Sequence, residues 1–242
     1  MKKNSLSHKQ QLQENEYELP AHWLLEHTTR VQYARLSDVI SFHIARHLQR
    51  GKLLDLGCGD GKGTIDLKER LDPSSFITEG ADYSEKAILL ARAMTYGSGV
   101  TFTVADITQS LETKFKAADY DCIVLREVIE HIKEDGIEAA LSEVSRILSN
   151  KGILIVTTPS TQKRVNKKHY QHYTPQLLTM ILTKNGFDII DLLGFGFWPI
   201  DLSSLKHIIN SIPKVWHILN PLWRQVTPSR AMTLVAIAQK IN

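Results

Sequence analysis

The chain has 242 residues, enough for one α/β domain with embellishments and too few for two complete catalytic domains. Apolar residues make up 43% and charged residues 23%, which excludes disordered and collagen-like classes. Two cysteines, Cys58 and Cys122, are too few for a disulfide framework and lack zinc-ligand spacing, so a reducing, cytoplasmic compartment is expected. The net charge of +3 hides an asymmetry. Residues 1–159 carry −4 and residues 160–242 carry +7, with no acidic side chain after Asp201, so the C-terminal third should favour anionic partners.

Met1 to Leu19 is polar and places Glu14, Glu16 and Glu18 where a signal peptide needs an apolar run. No apolar stretch is long enough to span a membrane, although attachment to a membrane surface stays open. The first dozen residues are expected to be mobile. From Tyr33 to Leu48, the residues Leu36, Val39, Ile40, His43, Ile44 and Leu48 recur at helical spacing and predict an amphipathic leader helix beside a ligand site. Residues 1–50 therefore read as an N-terminal helical cover, and residues 51–242 as the main domain.

That domain alternates short β-branched runs with longer helical patterns, which predicts an α/β fold with a doubly wound, mostly parallel, seven-stranded sheet. The expected strands are Lys52 to Gly57, Phe76 to Tyr83, Val100 to Asp106, Tyr120 to Arg126, Gly152 to Thr158, Phe187 to Leu193 and Met232 to Lys240. Helices are expected near Lys62 to Arg70, Ser84 to Thr95, Asp135 to Leu148 and Pro175 to Asn185, with a turn around Thr108 to Thr113. Between the last two strands, an insertion from Phe197 to Arg230 holds Trp198, Trp216 and Trp223 together with Lys206, Lys214, Arg224 and Arg230. Leu205, Ile208, Ile209 and Ile212 share a helical face there until Pro213 interrupts it. Such a segment is either a lid packed on the core, the reading preferred, or a membrane-interface anchor.

The first strand runs into Asp55-Leu56-Gly57-Cys58-Gly59-Asp60-Gly61-Lys62-Gly63 and then a helix. Glycines in that position let backbone approach a nucleotide-like ligand, while the helix N-terminus offers amide donors. The spacing matches neither the phosphate loop of nucleotide hydrolases nor the dinucleotide fingerprint. The second strand ends in Gly80-Ala81-Asp82-Tyr83, which places a carboxylate where ribose hydroxyls would lie. The third ends in Val104-Ala105-Asp106, next to Ile107, where a carboxylate can accept from an adenine amine.

These stretches, LLDLGCGDGKGT, GADYSEKAI and VADI, resemble the class I S-adenosylmethionine-dependent methyltransferases from about Lys52 to Lys240. The resemblance implies a sheet of seven strands ending in an antiparallel pair, and S-adenosylmethionine held by Asp55, Gly57, Cys58, Gly59, Asp82, Tyr83, Asp106 and Ile107. After the fourth strand comes Glu127-Val128-Ile129-Glu130-His131, without the Pro-Pro-aromatic tetrapeptide of amine-methylating relatives and without the Pro-Cys pair of cytosine-C5 enzymes. Oxygen is therefore the preferred acceptor atom.

If that stretch turns helical, Glu127, Glu130 and His131 share a face. His131 is then the first candidate general base, Glu130 its orienting partner or substitute, and Glu127 a lesser partner. The same set could hold a divalent metal with His169 or His172 completing it, but no metal is assigned. The pattern also resembles the ubiquinone-pathway O-methyltransferases and the small-RNA terminal 2'-O-methyltransferases, both associated with metal. The RNA group's Phe-Glu-Trp-Thr stretch is missing from His169-Tyr170-Gln171-His172-Tyr173-Thr174.

Lys163, Arg164, Lys167 and Lys168 would overhang the crevice mouth, where a phosphate group or an RNA backbone could engage them. His172-Tyr173-Thr174-Pro175 resembles the acceptor side of bacterial methyltransferases acting on glycans and lipid-linked intermediates. The preferred reading is O-methylation of a small-molecule, glycan or lipid-linked, phosphate-bearing acceptor, with peripheral membrane contact. The alternatives are an RNA 2'-O-methyltransferase and a non-catalytic S-adenosylmethionine-binding protein.

Overall fold

A computed structural model describes residues 6–24, 27–197 and 223–241. The insertion's Trp198, Lys206, Trp216 and apolar face, and with them the choice between lid and anchor, lie outside the described residues. Among the described residues no helix is long and apolar enough to cross a membrane.

The described strands form one sheet in the order β3-β2-β1-β4-β5-β8-β6-β7, where β1 is Gly51–Leu56, β2 Phe76–Asp82, β3 Thr101–Val104, β4 Tyr120–Arg126, β5 Leu148–Pro159, β6 Phe187–Phe197, β7 Trp223–Val226 and β8 Thr233–Lys240. The first five pair in parallel. β8 lies antiparallel between β5 and β6. The sheet thus has eight strands rather than seven: the additional one, β7, pairs antiparallel with the outer end of β6. It was missed because Trp223–Val226 is a short edge strand whose partner, not its pattern, defines it.

The helices are α1 (His8–Glu14), α2 (His27–His47), α3 (Lys62–Arg70), α4 (Glu85–Met94), α5 (Glu134–Ile147) and α6 (Pro175–Lys184). They cover the sheet on both faces. On one face Leu36, Ile40 and Ile44 of α2 stack with Leu67 of α3 against Leu53, Val124 and Ile155. On the other, Ile137, Leu141 and Val144 of α5 and Leu178 of α6 pack on Leu54, Ile123 and Leu154. Each such aliphatic side chain, fully buried, contributes about 1.5–3 kcal/mol. Two central strands are therefore apolar on both sides, which explains the continuous run Cys122-Ile123-Val124-Leu125 in β4.

The N-terminus departs from expectation. Within the dozen residues expected to be mobile, of which 1–5 lie outside the described residues, α1 begins at a capping box in which the Ser7 hydroxyl accepts from the Gln10 amide and the Gln10 side chain accepts from the Ser7 amide. A single helical turn, Asn15–Glu18, follows, with Tyr17 buried.

Thr174 caps α6 by accepting from the Leu177 amide at 3.1 Å, with Pro175 in the first turn. Replacing it, Thr174→Ala, should cost about 1 kcal/mol and lower the thermal midpoint by about 2–4 °C, with Thr174→Ser close to neutral. Equal midpoints for the alanine variant and the parent in a calorimetric scan would contradict this.

Candidate active site

The carboxyl ends of β1, β2, β3 and β4 open on one cavity of about 260 Å³, and every site residue expected from the sequence lines it: Asp55, Gly57, Cys58 and Gly59; Asp82, Tyr83, Asp106 and Ile107; Glu127, Glu130 and His131. α1 and the turn after it roof the opening.

The loop after β1 depends on left-handed backbone. Gly57 has φ +90°, and a Cβ there would meet a Val128 methyl at 2.3 Å. Gly59 has φ +55° and donates its amide to Asp82 Oδ2 at 2.9 Å. Asp82 Oδ1 accepts from the Ser84 amide at 3.0 Å, which places this buried carboxylate at the N-terminus of α4. Burial lifts its pKa to about 6, against the pull of the two amides. Because the folded protein holds this proton more tightly than the unfolded chain, the protein without ligand loses stability as pH rises through about 6. Further donors to the carboxylate, such as ribose hydroxyls, would relieve that cost. Asp106 is half-buried and already accepts from the Thr108 amide and hydroxyl through Oδ1.

A second group of polar atoms lines the same cavity. Asp55 Oδ2 accepts from the Thr64 hydroxyl at 2.7 Å, while Oδ1 is buried without a partner. Burial raises its pKa, with the Arg126 charge opposing. Arg126, at the end of β4, donates to Ser37 through Nη1 and leaves Nε and Nη2 buried and unbonded. An acceptor and a donor pair, each lacking a partner in one cavity, suit the ammonium and carboxylate of an amino-acid moiety. The donor set thus fits S-adenosylmethionine, whose adenosine Asp82 and Asp106 would hold and whose amino-acid end Asp55 and Arg126 would hold. Arg126 was missed in the sequence, although a charge closing the apolar run of β4 was the available signal.

The roof is pinned to the glycine loop. Asp60, fully buried, accepts from the His22 amide at 2.7 Å and pairs with His22 Nδ1 at 3.0 Å, and its carbonyl accepts from the Trp23 indole at 3.0 Å. Across the cavity, Lys168 pairs with Glu16, and Ser7 shares a hydrogen bond with Tyr170. The N-terminal residues Tyr17 and His22 thus line the site with no motif to announce them.

After β4, the expected helix is replaced by a kink. Glu127 takes φ +54°, unusual for a residue with a side chain, and a single turn, Ile129–His131, follows. The Glu127 carboxylate accepts from the Thr157 hydroxyl at 3.2 Å and stays apart, while one ligand atom each from Glu130, His131 and His169 falls within 4.8 Å of the others. Glu130 is fully buried: Oε2 accepts from Thr158, and Oε1 has no partner. Burial, then the Glu127 charge, raises its pKa well above the carboxylate range. Burial and the Lys168 charge push His131 down to about 4, and burial, with His131 and His172 nearby, pushes His169 to about 3. Both imidazoles are thus neutral at pH 7, with lone pairs for a proton or a cation. The loop carrying His169 is held in place by the Tyr170 amide on the Glu130 carbonyl and the Tyr173 hydroxyl on the Ile129 carbonyl.

Of the four cations expected at the crevice mouth, Lys168 is paired and Lys163 donates to Thr233, whereas Arg164 and Lys167 are exposed.

The family model described as a methyltransferase domain matches residues 48–193. A ubiquinone biosynthesis O-methyltransferase of Rhizobium leguminosarum bv. trifolii is 26% identical over 174 residues, covering 64% of this chain and 66% of that protein. A protein-lysine N-methyltransferase of Schizosaccharomyces pombe is 28% identical over 180 residues, covering 68% and 66%. The chain therefore spans just under two thirds of the length of these relatives. The fold is similar to that of the Burkholderia thailandensis 1,6-didemethyltoxoflavin-N1-methyltransferase, solved with 1,6-didemethyltoxoflavin and S-adenosylhomocysteine. The TM-score is 0.62 at 16% identity, over all of this chain and 94% of the other.

Affinity for S-adenosylhomocysteine, measured by titration calorimetry, should fall below pH about 6 by up to tenfold per pH unit as Asp82 takes up its proton. Asp82→Asn should bind about 10–100-fold more weakly and lose that pH dependence. An unchanged pH profile in the variant would remove Asp82 from the cofactor contact.

Proposed function

Because this chain belongs to the class I S-adenosylmethionine-dependent methyltransferases, we propose that it methylates an oxygen of a small-molecule, glycan or lipid-linked acceptor. The observation that carries this reading is the Glu130–His131–His169 cluster, which borders the same cavity as Asp82 and Asp55. S-adenosylmethionine supplies a methyl group already activated on a sulfonium, so the chain's own residues have to align the acceptor and accept its proton. His131 takes up that proton on its neutral imidazole, and the unbonded oxygen of the nearby Glu130 carboxyl is placed to accept from the imidazolium that forms. Glu127, held on Thr157, acts on Glu130 through its charge.

Oxygen is favoured by the absent amine motif and by the likeness to a ubiquinone biosynthesis O-methyltransferase. The lysine and toxoflavin-N1 relatives mark nitrogen as the competing outcome. Exposed Arg164 and Lys167 at the mouth favour an acceptor that bears phosphate. A cytoplasmic enzyme with peripheral membrane contact fits such a lipid-linked acceptor. RNA is the weaker alternative, because two of the four cations meant for its backbone are engaged within the protein.

A second use of the cluster follows from His169, which completes a set of one carboxylate and two imidazoles suited to a divalent cation. A cation there would orient the acceptor oxygen and lower its pKa. Methyl transfer surviving exhaustive chelation would dismiss this use and leave the Glu130–His131 pair as the proton acceptor.

Incubation with methyl-labelled S-adenosylmethionine and host extract, fractionated into lipid, RNA, protein and aqueous pools, tests the acceptor class. Label is expected in lipid or small molecules; label confined to RNA or protein would overturn the assignment. His131→Ala should lower turnover about 10²–10⁴-fold with affinity for S-adenosylhomocysteine retained. Unchanged turnover would take His131 out of the reaction, and binding without any labelled product would favour a non-catalytic protein.

A further inference from the structure

His172 stands behind the cluster, and its hydrogen bonds have a direction. Its Nδ1 lies 3.0 Å from the carbonyl oxygen of Lys163, which can only accept, so Nδ1 carries the proton. In a neutral imidazole the other nitrogen, Nε2, is then a bare acceptor. That Nε2 lies 2.8 Å from His169 Nδ1, which therefore donates. His169 is left with its Nε2 unprotonated. Its Nδ1 being engaged, Nε2 is the atom it offers to Glu130 and His131, whose ring meets the His169 ring edge-on with centroids 4.7 Å apart.

The hydrogen-bond partners of the two relay imidazoles are a backbone carbonyl and each other, and His172 is only 7% exposed. The loop is built to hold the geometry. The Lys163 amide donates to the Ser160 carbonyl, and the Thr161 amide to the Tyr173 carbonyl. Ser160 also forms a bridge with Tyr173, so the residues on both sides of the relay are fixed to β5.

We propose that His172 is a positioning residue: it relays the Lys163 carbonyl to His169, locking His169 in the Nδ1–H tautomer so that its Nε2 lone pair faces Glu130 and His131. The partner of the other ring nitrogen decides which nitrogen an imidazole can offer, whether to a cation or to a proton. Losing that partner frees the ring to rotate or to present an N–H where a lone pair is needed. The inference rests on the reading that the cluster serves the methyl acceptor, but the tautomer itself does not.

The test is nitrogen-15 NMR of the histidine side chains in the resting full-length protein, with no acceptor present. His169 should show a protonated Nδ1 and an unprotonated Nε2, and a protonated Nε2 in the parent protein would overturn the relay without any variant. His172→Leu should shift His169 toward the Nε2–H form and lower methyl transfer about 10–100-fold while affinity for S-adenosylhomocysteine holds. His172→Gln, whose amide can accept from His169 and donate to Lys163, should restore the tautomer and most of the turnover. A leucine variant with the parent tautomer, or a glutamine variant no better than leucine, would refute the proposal. A shifted tautomer with full turnover would uphold the relay and count against the cluster's part in the reaction.

Discussion

The Asp82 carboxylate takes the Gly59 amide on one oxygen and the Ser84 amide on the other, and through those two bonds the loop after β1, the end of β2 and the start of α4 become one surface. Hydrogen bonds to a charged group are worth about 1.5–3 kcal/mol each, and here they add to the packing of Cys58 against Ile88, Ala91 and Phe102 in fixing the glycine loop. The same carboxylate is buried enough that its ionised form is costly. The fold tolerates that cost at the point where a ligand with hydroxyl donors would remove it. The loop's positive-φ glycines, its tether to His22 and Trp23 through Asp60, and the roof over the cavity all rely on its being held there.

Buried polar atoms without partners follow the same logic. Asp55 Oδ1, Arg126 Nε and Nη2, and Glu130 Oε1 belong to residues that line one cavity. Of the other buried polar atoms without a partner, Thr78 Oγ1 stands alone on β2 and His43 Nδ1 and His47 Nε2 lie on α2, whereas those four atoms, from three residues, are gathered at the cavity. On the proposed reading, Asp82, Asp55 and Arg126 would hold the cofactor and Glu130, His131 and His169 would handle the acceptor's proton.

What the sequence disclosed follows from how locally each feature is encoded. β4 at Tyr120–Arg126 and α3 at Lys62–Arg70 fall at the boundaries expected, because an uninterrupted apolar run and a glycine loop running into a helix are local signals. That Asp55, Asp82 and Asp106 would share one cavity was legible because each lies at the end of a strand, and the sheet order brings strand ends together. The kink at Glu127 was not legible. It arises where β4 stays in register with β5 to Arg126–Thr157, so the chain leaves the sheet as strand and has no room to begin an α-helix. α1 carries a local signal, the capping box from Ser7 to Gln10, but no apolar run at helical spacing accompanies it to mark a helix there. Arg126, Tyr17 and His22 reach the cavity only through tertiary packing, and the pairing of His169 with His172 becomes informative only once the Lys163 carbonyl is seen behind them.

The most direct measurement is a crystal structure of the chain with S-adenosylhomocysteine. The account predicts ribose hydroxyls on the Asp82 carboxylate, the amino-acid end between Asp55 and Arg126, and the sulfur directed toward the side of the cavity that holds Glu130, His131 and His169. Adenosine bound away from the ends of β1 and β2, or a cavity that stays empty at saturating ligand, would contradict it.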